Sequence, residues 1–499
     1  MKMLKKATIL LIMAGILTSG TVMAKSAVEK HDNFYWLGQI NKASLVINTD
    51  QGLIDKNEAP GFARGINKVL QDGNKPDGAR PTNVITMEPY LIAAAGPEFT
   101  KLHAGRSSQD MLSTVSYMRQ REGLLDLATS MNKVNATLIN MAEKHKDTIV
   151  PSYTNGVAAQ PTSYGHYLLA FADGFGRDME RLQQYYKRVN LSAMGSTVLN
   201  GTSWPLNRQK MAEYLGFPTF AYNTYDANQI YTIENGVEAG YVATNLSLHV
   251  GDFIEDVMQQ YAQPRPWIIL KEGGKNTYVS SAMPQKRNPG ILNSTRTEAS
   301  TLLGVSVGAT FRAHNVPPGM ADARSGILDI LHLANKEMLD FNDCLQALQI
   351  NPARALEELN LDWTASQEVA DVLMRKYNVP FRMGHHFASN IVTYARANQL
   401  TPKTFPYAEA QKLYAELMTQ EGRPTALPMS EQEFKDTLDP VAIVHNRAVP
   451  GGPQPAEMQK MLGMAKRDLA ANENWVAEQR AHLKAANDRL NTDFNAFLQ

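Results

Sequence analysis

A single cysteine, no net charge and no low-complexity linker mark this chain of 499 residues. One cysteine excludes an intrachain disulfide. Cys344 sits in an apolar helical run and reads as core rather than nucleophile. Basic and acidic residues balance at 49 each, which excludes the basic footprint of a nucleic-acid binder or a polybasic membrane surface. His385 and His386 are adjacent with no third ligand cluster in company. On a helix, neighbours point about 100° apart and do not easily hold one ion, so no metal is expected. No alternating strand pattern and no internal repeat stands out. At 20% charged and 43% hydrophobic residues the balance is that of a globular protein, too long for one simple core.

The N-terminus reads as a targeting segment. Met1 to Lys6 is a basic stretch, and Ala7 to Val22 is apolar and uncharged. Val22-Met23-Ala24 puts aliphatic or small residues at the expected cleavage positions, so cutting after Ala24 is predicted. The apolar run is short for a membrane span. The expectation is therefore a signal peptide over residues 1–24, a periplasmic or secreted mature protein, and no membrane attachment after cleavage.

Beyond the leader the pattern is helical. Leu124, Leu127, Met131, Val134, Leu138 and Met141 recur at spacings of three and four. So do Leu168, Phe171, Phe175, Met179, Leu182 and Tyr186, and again Val242, Leu246, Val250, Phe253 and Val257. These are packing stripes of long amphipathic helices, and several together predict an all-α helical bundle. Three units are expected: an N-terminal helical domain over 25–115, a central bundle over 116–365 and a C-terminal helical domain over 366–499.

The most informative segment is Ser280-Ser281-Ala282-Met283-Pro284-Gln285-Lys286-Arg287-Asn288-Pro289. Two hydroxyls follow the flexible run Glu272-Gly273-Gly274-Lys275-Asn276. Lys286 adds a cation. Asn288-Pro289 reads as an N-cap followed by proline at the first helical position. A helix starting there would point free N–H groups at a carboxylate in front of it. Hydroxyl, cation and helix terminus together suit a dicarboxylate from which a proton is removed.

This string resembles the fumarase/aspartase signature G-S-S-x-M-P-x-K-x-N-P, with Val279 in place of the leading glycine. Lys101-Leu102-His103-Ala104-Gly105-Arg106-Ser107-Ser108-Gln109-Asp110 resembles the argininosuccinate lyase string K-L-H-T-G-R-S-R-N-D, though its ending is closer to that of carboxymuconate cycloisomerases. Tyr153-Thr154 through Ala159-Gln160-Pro161 resembles Y-T-H-L-Q-R-A-Q-P. Similar matches occur at Tyr164-Gly165-His166, Gly195-Ser196, Val379-Pro380-Phe381-Arg382 and Pro450-Gly451-Gly452. The resemblance implies a three-domain all-α subunit, a homotetramer, active sites built from three subunits, a small dicarboxylate substrate and no cofactor. It also implies β-elimination releasing fumarate, with Ser280 as base. Ser107, Gln109, Thr154, Asn155, Gln160, Ser281, Lys286 and Asn288 would bind substrate. Each alone would be an ordinary loop residue; their joint match raises them.

The departures are informative. Asn155 stands where the family carries histidine, and Asn293 where the glutamate orienting that histidine is expected. Both partners are replaced together, and two amides can hydrogen-bond each other. The Y-N-R-D-x-Q stretch expected around 318 to 328 is not recognisable. The expected activity is a C–N lyase acting on argininosuccinate or another N-substituted aspartate. Two alternatives stay open: a catalytically inactive dicarboxylate binder, and a carboxymuconate-type cycloisomerase.

Overall fold

The computed structural model describes residues 31–319 and 326–499. The expected leader over 1–24 and the segment 320–325, within the unrecognised Y-N-R-D-x-Q stretch, lie outside the described residues.

Helices dominate. In chain order they are α1 (Asn33–Asp50), α2 (Ala59–Gly73), α3 (Val84–Ala95) and α4 (Ser108–Lys144). A hairpin of β1 (Ile149–Thr154) and β2 (Val157–Ser163) precedes α5 (Tyr164–Val189), α6 (Arg208–Tyr214) and α7 (Tyr231–Tyr261). Short strands β3 (Ile268–Leu270), β4 (Tyr278–Val279) and β5 (Arg287–Asn288) lead into α8 (Gly290–Ala313) and α9 (Ile327–Ala347). Then come β6 (Leu348–Ile350), α10 (Pro352–Leu361), α11 (Ser366–Tyr377), α12 (Phe381–Ala397), α13 (Tyr407–Gln420), α14 (Glu431–Asp436), α15 (Pro440–His445) and α16 (Pro455–Asn495).

The expected stripes are the seams of the bundle. Leu124, Leu127, Met131, Val134 and Leu138 are buried along α4, and Val242, Leu246, Val250, Phe253 and Val257 along α7. α4 packs on α5 and α9, and α7 on α8. Cys344 is in this core, where burial pushes its thiol up to about 12 and leaves it an inert apolar side chain. The same core runs from Phe34 of α1 to Phe494 of α16, because α16 returns along α1, α4 and α5. A second core gathers Trp363, Leu373, Phe387, Phe405, Tyr414 and Phe434 around α11 to α14.

Periodicity did not announce the strands. Among the described residues three two-stranded antiparallel ribbons are present: β1 with β2, β3 with β6, and β4 with β5. The last two have strands of only two or three residues, too short for alternation to register.

A buried acid of α9 lies among the apolar seams. Glu337 of α9 is 1% exposed, and its Oε2 accepts from Ser247 Oγ of α7 at 3.3 Å. Burial pushes its carboxyl up to about 8; the Ser247 bond opposes this and the charge of Glu298 adds to it. The folded chain thus keeps a proton that the unfolded chain releases near 4.5. Stability from this group is full below that value and lost as pH rises through about 8. Glu337→Gln should therefore gain thermal midpoint over the parent between pH 5 and pH 9, by a margin that grows with pH; melting curves across that range check it.

Candidate functional site

The residues singled out in the sequence fall into three clusters. The first surrounds the start of α4. Ser107 is its N-cap: Ser107 Oγ accepts the Gln109 N–H at 3.2 Å, and Asp110 Oδ1 accepts the Ser107 N–H at 2.9 Å. The S-x-x-D spacing of a capping box could have revealed this role. With its oxygen engaged, the Ser107 hydroxyl still has its proton to donate. Asp110 also accepts the Gly195 N–H at 3.0 Å and the Thr197 N–H at 3.1 Å, so one carboxylate fastens the motif loop to the Gly195-Ser196 loop. Burial pushes this carboxyl up to about 6, against the pull of its three N–H donors and of Arg106. Arg106 Nη1 donates to Asn41 Oδ1 and Ser44 Oγ, each at 3.0 Å. Gln109 Nε2 is shielded from solvent and, among the described residues, has no hydrogen-bond partner.

The second cluster is the β1–β2 hairpin. Thr154 and Val157 pair across a two-residue turn of Asn155 (φ 53°) and Gly156 (φ 74°). Two consecutive positive φ values mark a type I′ turn, for which Asn-Gly is the preferred dipeptide. That dipeptide was the signal the helical reading passed over. Thr154, Asn155 and Gln160 are exposed. Gln160 Nε2 donates to Gln367 Oε1 of α11 at 2.9 Å, and Tyr153 OH to Glu358 Oε1 of α10 at 2.7 Å. His166 Nε2 lies 3.0 Å from the Gly451 carbonyl oxygen, joining two more of the matched segments.

The third cluster is the loop joining β4 to β5. Gly273 (φ 90°) and Gly274 (φ 57°) turn the chain into β4. The loop then folds back on Ser280, whose Oγ accepts the Ala282 N–H at 3.3 Å and the Met283 N–H at 3.1 Å. Ser281 and Lys286 are exposed, and among the described residues Lys286 Nζ makes no ion pair. Arg287 braces the loop, donating from Nη1 to the Pro284 carbonyl at 2.8 Å and from Nε to Glu272 Oε2 at 3.2 Å.

Here one expectation needs correction. Asn288 does not cap a helix. It is extended in β5 opposite Tyr278, and its Nδ2 donates to the Tyr278 carbonyl at 3.3 Å. α8 begins at Gly290 with Pro289 before it, and the Ile291 N–H is taken by the Asn276 carbonyl at 3.1 Å. Ribbon pairing holds Asn288 in the extended region, and a loop carbonyl supplies the cap. Within one chain, among the described residues, no hydrogen bond joins Asn155 to Asn293. Asn293 is in the first turn of α8, where its carbonyl accepts from Thr297 Oγ1 at 2.9 Å.

The first cluster does not meet the other two within one chain. Ser107 and Gln109 sit at the start of α4, and the hairpin follows its far end. At 1.5 Å per residue the 37 residues of α4 hold them about 55 Å apart. α7, with 31 residues, spans most of the same length of the bundle. Its start adjoins the first cluster, where Asn228 Nδ2 donates to Ser196 Oγ at 2.7 Å. Its end adjoins the third, where Tyr261 OH donates to the Arg287 carbonyl at 3.1 Å. The hairpin and the Ser280 loop therefore share one end of the bundle.

Residues 67–304 match a family model described as lyase, and residues 363–445 one described as argininosuccinate lyase C-terminal. The chain belongs to the fumarase/aspartase superfamily, close to argininosuccinate lyase. Among its superfamily relatives, the argininosuccinate lyase of Methanocorpusculum labreanum is 29% identical over 466 residues, 91% of each chain. That of Methanosarcina acetivorans is 27% identical over 461 residues, 90% of each. The crystal structure of EDDS lyase in complex with formate superposes with a TM-score of 0.83 at 23% identity, covering 93% of this chain and 92% of that one. The last likeness establishes the superfamily fold, including the long helical bundle.

Asp110→Ala would leave one buried and two partly buried N–H groups without an acceptor. At about 1–3 kcal/mol for the buried group and less for the other two, a loss of about 2 kcal/mol or more is expected, read as a lower urea midpoint at neutral pH.

Proposed function

We propose that this chain is a C–N lyase that cleaves argininosuccinate or another N-substituted aspartate and releases fumarate. The observation that carries the reading is the setting of Ser280, whose Oγ already accepts two backbone N–H groups in a loop that also bears Lys286. A serine hydroxyl is a poor base unless its alkoxide is stabilised. Two fixed N–H donors supply that stabilisation, and Lys286 adds to it through its charge.

In this mechanism Ser280 first gives its hydroxyl proton to solvent, and the alkoxide Oγ then takes the proton from the carbon beside the substrate carboxylate. The electron pair passes through the carboxylate oxygens and becomes the C=C bond, and the C–N pair leaves with the amine. Lys286, Ser281 and Asn288 hold the carboxylate while charge builds on it. Thr154, Asn155 and Gln160 from the hairpin, and Ser107 and Gln109 from the start of α4, contact the rest of the substrate. Asn155 and Asn293 carry no titratable proton, so the amine departs with a proton of its own or one from water.

Separation of the clusters calls for more than one copy of the chain, and we place the site in a homotetramer. Exposed apolar side chains on the bundle support such a face: Tyr241 and Leu248 on α7, Val307 and Phe311 on α8, and Leu339 on α9. Export to the periplasm or medium belongs to the same proposal and rests on the leader alone. A mature N-terminus at Lys25, found by mass spectrometry, checks it.

A second reading, a dicarboxylate binder without turnover, is favoured by the pairwise loss of imidazole and carboxylate at Asn155 and Asn293. Ultraviolet detection of fumarate separates the two. The chain beginning at Lys25 should release fumarate from argininosuccinate or from an N-substituted aspartate in a substrate screen, and Ser280→Ala should lower kcat by about 10²-fold or more. Undiminished turnover in Ser280→Ala rejects the base assignment. Succinate binding by calorimetry with no product from any substrate establishes the second reading.

A further inference from the structure

Beside the first cluster, a cavity of about 20 Å³ lies between α1, the 104–106 turn, the 194–195 turn and the start of α6. That is room for a single water-sized particle, so the groups on its wall converge on one occupant. Ser44 and Asn48 stand one turn apart on the same face of α1, 1% and 4% exposed, and both line the cavity. Ser44 Oγ accepts from Arg106 Nη1 at 3.0 Å, and among the described residues its own proton has no acceptor. The Asn48 amide makes no hydrogen bond among the described residues, and neither of its polar atoms is sealed in by packing, so the amide opens onto the cavity. A polar group held in the interior without a partner is costly and calls for a group to meet it.

The charge on the wall has one sign. Arg106 and Arg208 line the cavity, no acidic residue does, and among the described residues neither arginine makes an ion pair. Arg208 is fixed in place: its Nε donates to the Met194 carbonyl and its Nη2 to the Ala221 carbonyl, each at 2.9 Å. Its Nη1 is left without a partner among the described residues. Burial pushes the Arg106 guanidinium down to about 10; the charges of Asp110 and Glu88 oppose this, but both residues stand outside the wall. Arg106 therefore keeps its charge at neutral pH with no anion in contact, a costly state in the interior. Two guanidiniums disfavour a cation here, and so small a space has no room for a carboxylate, sulfate or phosphate.

We propose that this cavity binds one halide ion, chloride or bromide. The Ser44 hydroxyl and the Asn48 amide N–H donate to it, and Arg106 and Arg208 supply the opposite charge. An ion held there ties α1 to the residue just before the Ser107 cap and to the start of α6. It thus braces the loop that carries the first cluster, without touching the substrate.

Melting curves in sodium chloride and in sodium gluconate at equal sodium concentration test this. The midpoint should rise saturably with chloride, by about 2 °C or more over gluconate, and bromide should act as chloride does. Asn48→Leu, similar in size but without a donor, should abolish the difference between the salts. Ser44→Ala should raise the chloride concentration at half-effect about tenfold, the loss of one hydrogen bond to a charge. Crystals soaked in bromide should show an anomalous peak in contact with the Asn48 amide. Equal midpoints in chloride and gluconate, a chloride effect unchanged in both variants, or a water where the bromide peak is expected overturns the proposal.

Discussion

The arrangement of this molecule depends on the stiffness of α4. A helix of 37 residues whose apolar stripe is locked between α5 and α9 is a rod, and whatever its two ends carry stays apart. One end carries the Ser107 loop and the other leads into the hairpin. α7 repeats the span beside it and delivers the Ser280 loop to the hairpin's end. The rods set the distances, and the short loops and ribbons at their ends set the chemistry.

Those end pieces are held by few but strong contacts. Asp110 gathers N–H groups from two separate loops. Arg287 clasps the Ser280 loop to Glu272 and to the loop's own carbonyls. Tyr153 and Gln160 pin the hairpin to α10 and α11. These contacts are polar, some local and others joining segments far apart in sequence, as expected where backbone runs outside the apolar core and must satisfy its hydrogen bonds another way.

Much of the fold could be read from spacing alone, because a stripe such as Val242-Leu246-Val250-Phe253-Val257 repeats the helical period often enough to be unambiguous. The ends were less readable. β4 and β5 have two residues each, and no periodicity can be seen in two. Asn288-Pro289 has the composition of a helix start, yet pairing with Tyr278 keeps Asn288 extended, a tertiary contact that overrides local preference. At the site, the Ser280 string was legible because its order is long and specific. The Ser107 capping box and the Asn155-Gly156 turn have local signatures too, and a reading that treats these residues only as ligand contacts overlooks the backbone roles they already fill.

Glu337 has a further consequence. Counted from composition, the chain is electrically neutral. Once folded, the buried Glu337 carboxyl holds its proton up to about 8, so near neutral pH it does not contribute the negative charge that composition assigns to it. Folding in that range is accordingly a proton-uptake reaction: each chain that collapses removes a hydrogen ion from the solution, and each that unfolds returns it.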